Sequence, residues 1–330
     1  MGTPFVFLAI FCTLSLNLAN GYEPYYFSDD NGIPHFVDAD EYVLTNDDFI
    51  ELAANLSSVK FLLYTRQNPT NGYLLKLGDS ENLINSNWNR SNPTRIVTHG
   101  WRGDGNSNSC VEIRDAFLKV SDYNVIVIDW GVVAKDIIYS KVKACIPNVA
   151  KYVSTFINYL DFLDEIELDK TLMIGHSLGA HLISLSAKNT DGQIEEVLGL
   201  DPAGPGYHIN DPNTRIHKSH ANYVQIIHTN AGRLGLKGNI GSSDFHMNGG
   251  KLQPGCGTWD IIVGSCAHAR SYQYFAESIV NRHGFRATPV TCNKSPFTCP
   301  SVYMGGPTLD HSAQGAYVLP TASKPPFALG

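Results

Sequence analysis

Ser177 stands at the centre of Gly175-His176-Ser177-Leu178-Gly179, after the apolar run TLMIGH and before the alanine-containing, helix-like run that opens LGAHLIS. A serine hydroxyl becomes a useful nucleophile when a tight turn presents it and a base takes its proton. A pentapeptide of this form between strand and helix is the sequence signature of such a turn. Glycine two positions away on each side fits the steric demand of the strained corner. In this chain order an acid follows the serine, and a histidine follows the acid. Asp201 closes EEVLGLD and precedes Pro202, which puts it at the C-terminal end of a strand, where open α/β sheets build their sites. The plain alternative is a turn-forming aspartate. Eight histidines follow it: His208, His217, His220, His228, His246, His268, His283 and His311. Spacing alone leaves them open. Position favours His268, two residues after Cys266 and just ahead of ARSYQYFAESIV, where Tyr272, Phe275 and Ile279 have helical spacing. A histidine on a loop pinned by a disulfide and a docked helix would keep one orientation, as a general base must. His181 is nearer in sequence, but a serine on such a turn projects away from its own helix. The developing oxyanion needs donors, and the backbone N–H groups of Leu178 and of Trp101, in THGWRG, are placed to supply them.

These residues need a scaffold. Strand-like runs occur at KFLLYT, TRIVTH, NVIVIDW, TLMIGH, EEVLGLD and NYVQIIHT. Continuous apolar runs of this length suit strands of a parallel sheet covered on both faces. Between them, Val149, Tyr152, Val153, Phe156, Leu160 and Leu163 share one helical face. The alternation predicts one α/β domain over residues 60–330, with a mostly parallel central sheet and helices on both faces, preceded by an N-terminal extension at 22–59.

Apolar residues make up 43% of the 330 and charged residues 17%, a globular profile. The net charge of -7 lacks the basic footprint of a nucleic-acid binder. The apolar run from Phe5 to about Leu16 is short for a membrane span and reads as a signal peptide over residues 1–21, with an extracellular destination and no transmembrane segment. In that compartment the six remaining cysteines should form disulfides, and spacing pairs Cys256 with Cys266, Cys292 with Cys299 and Cys110 with Cys145. Sequons at Asn55, Asn89 and Asn293 are glycosylation candidates.

Taken in order, VTHGW, VIVIDW, IGHSLGAH, GLDPAGP, YVQIIHTN, DFHMNGGKLQPGC and CAHARSYQYFAESI resemble the successive motifs of the animal pancreatic-lipase family, including its insect and venom phospholipase A1 members. The resemblance spans nearly all of residues 60–310. It implies an α/β-hydrolase fold, Ser177, Asp201 and His268 as triad, Trp101 and Leu178 as oxyanion donors, no cofactor, and extracellular hydrolysis of lipid esters at a membrane, micelle or lipoprotein surface. Departures from the pattern bear on substrate. The loop GTWDIIVGS between Cys256 and Cys266 and the segment AGRLGLKGNIGSS are both short, as in the phospholipase A1 branch; triacylglycerol or galactolipid hydrolysis is the alternative within the enzyme class. An inactive lipid-binding or yolk-type storage protein is the alternative outside it. Trp259, Ile261, Ile262 and Val263 are candidates to dip into a lipid surface, or else to fold back onto the core. The family's calcium loop is acidic where this chain has Pro212, His217 and His220 around Arg215, so no metal site is expected there. The chain ends soon after the hydrolase region, so neither a C-terminal β-sandwich nor colipase binding is expected.

Overall fold

The computed structural model describes residues 25–291 and 301–330. The signal segment at 1–21, the cysteines at 292 and 299 and the sequon Asn293 lie outside the described residues. The chain opens with an antiparallel hairpin of β1 (Tyr25–Ser28) and β2 (Pro34–Val37), followed by helix α1 (Asn46–Leu56). Thr45 and Asp48 form a reciprocal capping box at the start of α1.

An eleven-stranded sheet forms the centre. Its parallel body comprises β6 (Asn124–Asp129), β5 (Thr94–Thr98), β7 (Leu172–His176), β8 (Glu196–Leu200), β9 (Tyr223–His228), β10 (Ser243–Met247) and β13 (Gly315–Leu319), in that spatial order. Antiparallel strands close both edges: β3 (Lys60–Tyr64) with β4 (Tyr73–Leu75) on one side, β11 (Arg286–Pro289) with β12 (Val302–Tyr303) on the other. All six sequence-predicted strands are present. In β7 every residue is buried, and successive side chains enter opposite layers: Met173 joins one apolar core, Leu172 and Ile174 the other.

The two layers are helical. On the first face, α5 (Tyr139–Phe162) packs against α6 (Leu178–Asn189); on the second, α3 (Asn108–Val120) packs against α8 (Ser265–Val280). Three short helices, α2 (Ser80–Ile84), α4 (Gly131–Ala134) and α7 (Asp260–Val263), occupy connections. The N-terminal segment docks onto the domain, with Phe27 fully buried in the first core and its ring centroid 4.8 Å from that of Tyr139.

Two of the expected disulfides fall within the described residues, and they differ in outcome. Cys256 and Cys266 are bonded, with a Cα–Cα distance of 5.7 Å. Cys110 and Cys145 are both free and buried, which corrects the pairing inferred from spacing. Cys110 sits on α3 in one apolar layer and Cys145 on α5 in the other. With the sheet between them, their Cα atoms cannot approach within the roughly 7 Å that a disulfide requires. Burial raises both thiols, Cys145 to about 11, so neither is poised to react. Among the described residues, no helix is long and apolar enough to cross a membrane.

Candidate active site

Ser177 occupies the single position between the end of β7 and the start of α6, with φ 58 and ψ -123. A non-glycine residue in that region is strained and persists only where its surroundings hold it. Its N–H donates to Leu200 O at 3.1 Å, and its carbonyl accepts from Ala203 N at 3.2 Å, so β8 and the loop after it clamp the turn. The flanking glycines follow from close approach. A Cβ on Gly175 would collide with the backbone of Gly179, and a Cβ on Gly179 with the carbonyl of His99. The pentapeptide is therefore a contact motif that locks the elbow against the loop after β5.

Asp201 and His268 are brought together from the end of β8 and the first turn of α8. His268 Nδ1 lies 2.6 Å from Asp201 Oδ2, and both residues are buried. The other carboxylate oxygen, Oδ1, accepts the backbone N–H groups of Thr229 at 2.9 Å and Asn230 at 3.0 Å, which fixes its orientation. Burial, aided by neighbouring His176, lowers the His268 pKa, while the Asp201 hydrogen bond and charge pull the other way. Among the described residues, His268 Nε2 has no hydrogen-bond partner, Ser177 Oγ included. Serine–histidine hydrogen bonds are often loose before substrate binds.

The loop after β5 lies against the serine. Trp101 is buried; its indole N–H donates to Asp136 O at 2.9 Å, and its carbonyl accepts from Asp30 N at 2.9 Å. Among the described residues, the Trp101 and Leu178 N–H groups donate to no protein acceptor.

His181 serves another purpose. Its Nε2 donates to Ala203 O at 2.8 Å and its Nδ1 accepts from Ile216 N at 3.1 Å, so the neutral ring is satisfied on both sides within the core. Of the remaining histidines, His228 is buried with Nε2 2.9 Å from Asp244 Oδ1, and His220 Nδ1 meets Ser184 Oγ at 3.0 Å.

Asp30 was not singled out by sequence reasoning. It lies just after β1 with its carboxylate fully buried, and it accepts His176 Nδ1 at 2.6 Å and Ser109 Oγ at 3.1 Å. The His176 ring lies 4.4 Å, centroid to centroid, from that of His268. A second histidine–aspartate pair thus adjoins the first. Nothing in YYFSDDNG marks Asp30 out, since its partners come from the distant residues 109 and 176.

Around the site, Trp259, Ile261 and Ile262 on and beside α7 are exposed, and Val263 is half-buried. Asn89 is exposed on a turn, while Asn55 is half-buried near the end of α1. The guanidinium of Arg215 donates to the carbonyls of His208, Ile209 and Ile216 and takes up oxygens that a hard cation would need. Cys256, Asp260 and Cys266 are, among the described residues, the one group close enough together to hold a metal. The two sulfurs are bonded to each other, and the carboxylate accepts the N–H groups of Cys266 and Ala267.

The family profile described as Lipase matches residues 37–303. Phospholipase A1 of Vespa crabro is 32% identical over 289 residues, covering 82% of this chain and 94% of the relative. Pancreatic triacylglycerol lipase of Sus scrofa is 33% identical over 282 residues, covering 77% of this chain and 61% of the relative. Inactive pancreatic lipase-related protein 1 of Homo sapiens is 31% identical over 281 residues, covering 77% and 59%. The chain thus spans about three fifths of the length of these two pancreatic relatives and nearly all of the venom enzyme. With the match running from the last residue of β2 to β12 and including Ser177, Asp201 and His268, the chain belongs to the Lipase family.

Proposed function

We propose that this protein is a secreted serine hydrolase that cleaves the carboxylic esters of lipids, with glycerophospholipids as substrate and the sn-1 acyl ester as the bond broken. Family membership alone does not decide activity, because one of the relatives is named inactive. The observation that carries the proposal is Ser177 held at φ 58 and ψ -123, together with a buried His268–Asp201 pair with a 2.6 Å hydrogen bond. In the reaction, His268 Nε2 takes the Ser177 proton while Asp201 holds the imidazole by Nδ1. Ser177 Oγ then bonds to the ester carbon, and the Leu178 and Trp101 N–H groups receive the oxyanion. Collapse expels the lysophospholipid alcohol, which takes its proton from His268. Water, activated by the same histidine, releases the fatty acid from the acyl-enzyme. Support for a phospholipid comes from the shortness of the Gly257–Ser265 loop and from the likeness to a venom phospholipase A1 over nearly its whole length. The N-terminal apolar run and the Cys256–Cys266 disulfide favour secretion.

Replacing Ser177 by Ala should lower turnover by roughly a million-fold, as triad knockouts do in a serine protease. A fluorophosphonate probe should label Ser177 in the native protein, and absence of labelling would favour a binding protein over an enzyme. Phosphatidylcholine carrying different labels on its two acyl chains, assayed beside triolein, tests the substrate. Release from triolein alone would overturn the phospholipase reading.

A further inference from the structure

We propose that a cavity behind the short Gly257–Ser265 loop is the site for the phosphodiester of the glycerophospholipid substrate, with Arg233 and Lys251 as its cationic ligands; the inference rests on the phospholipase reading. The cavity has a volume of about 440 Å³, and its walls include Tyr26, Arg233, Leu234, Lys251, Ile262 and Val263. No carboxylate lines it, although the whole chain is acidic at -7. Among the described residues, neither Arg233 nor Lys251 forms an ion pair; Arg233 Nη1 donates only to the backbone carbonyl of Asp260, at 3.3 Å. The Tyr26 hydroxyl is likewise without a partner.

What makes this a built site is its attachment to the reacting groups. Asn230 is fully buried, and its backbone N–H donates to Asp201 Oδ1 at 3.0 Å. Its side-chain Nδ2 donates to the Lys251 carbonyl at 3.0 Å, and its Oδ1 accepts from Leu234 N at 3.0 Å. One asparagine therefore ties both cation-bearing segments to the carboxylate that orients His268. Gly264 also lines the cavity, and its carbonyl accepts from His268 N at 2.9 Å, so the lining reaches to one helical turn before His268. The two regions thus share the supports of Asn230 and Gly264, and in the proposed complex one glycerophospholipid presents its ester to His268 and Ser177 and its phosphodiester to Arg233 and Lys251. The wall is mixed in character: Arg233 and Lys251 supply a guanidinium and an ammonium as charge-assisted donors for a phosphodiester, while Leu234, Ile262 and Val263 suit the adjoining glycerol and acyl carbons.

The test compares the parent with the double variant R233Q/K251Q on phosphatidylcholine and on diacylglycerol of the same acyl chains, both dispersed in a neutral detergent. Losing charge-assisted contacts should lower the ratio of kcat/KM for phosphatidylcholine to that for diacylglycerol by about tenfold or more. In the Ser177→Ala background, titration with a short-chain phosphatidylcholine below its micelle concentration should show Kd weakened by a similar factor. An unchanged ratio together with an unchanged Kd overturns the proposal. So does competition by inorganic phosphate as strong as that by the phospholipid, which would mark a general anion site. A parent that cleaves diacylglycerol and no phospholipid would instead defeat the phospholipase reading itself.

Discussion

Asp30 shows what a single buried side chain can be asked to hold. It accepts from His176 on the Ser177 turn and from Ser109 on α3, and its own N–H donates to the carbonyl of Trp101 in the loop after β5. Burial by itself would raise the carboxyl, but the hydrogen bond and charge of His176, with help from His99, outweigh it and hold Asp30 well below the usual carboxylate range. Asp30→Asn keeps the volume and removes the charge, leaving His176 buried against an amide. Breaking such a pair should cost about 3 to 5 kcal/mol of stability. Because the turn and the Trp101 loop lose their common anchor, kcat should fall by about a hundredfold, with KM changing far less. Thermal unfolding and steady-state kinetics on one preparation separate the two effects, and an unaltered kcat would reduce Asp30 to a purely structural residue. Ser177 and Asp201 could be proposed from sequence because their order and strand-end positions have physical meaning, whereas His268, one of eight histidines left open by spacing, is singled out by the resemblance to the lipase family. Asp30 could not, since its role exists only where three segments meet.

At the scale of elements, the junction of α7 and α8 decides whether His268 is in place. The first N–H groups of a helix have no partner within it. Here Asp260, buried on α7, satisfies two of them, accepting Cys266 N at 2.8 Å and Ala267 N at 3.0 Å. The Cys256–Cys266 disulfide pins the same turn covalently. Asp260→Ala should cost about 1 kcal/mol, as loss of a helix cap does, and should loosen the turn that carries His268. The expected signature is a modest drop in Tm with a disproportionate loss of kcat, and a drop in Tm alone would place the cap outside the functional machinery. Spacing found this disulfide because a short loop between cysteines closes wherever it lies. The same reasoning failed for Cys110 and Cys145, since spacing does not say which face of a sheet each helix covers. Likewise β10 and β13 escaped the sequence reading: the first, SDFHM, interrupts its apolar residues with Asp244 and His246, and the second, GAYVL, begins at a glycine. Their parallel pairing comes from tertiary packing.

For the molecule as a whole, buried and half-buried histidines set the response to acid. Burial is the leading cause in each case: it lowers His181 to about 3, and His220 and His246 to about 4. His268 is lowered as well. In the unfolded chain all four would titrate near about 6.5. Between that value and about 4 the unfolded state therefore binds more protons than the native state, and stability must fall as pH falls. Neutral histidines contribute fully above the unfolded value, and their contribution is lost progressively below it. For His181, fully buried with both ring nitrogens bonded, the slope should approach about 1.4 kcal/mol per pH unit. Asp30 has the opposite kind of shift and acts in a lower window: its depressed carboxyl stabilises the fold above the ordinary carboxylate range and withdraws that support as pH drops further. Urea unfolding from pH 8 to pH 4 should therefore show a plateau at the alkaline end and a steady decline below about 6.5. His181→Gln should flatten part of that decline, whatever it costs at neutral pH, because a glutamine cannot take up the proton. A midpoint that stayed level down to pH 4 would mean that these rings are not held neutral by the fold.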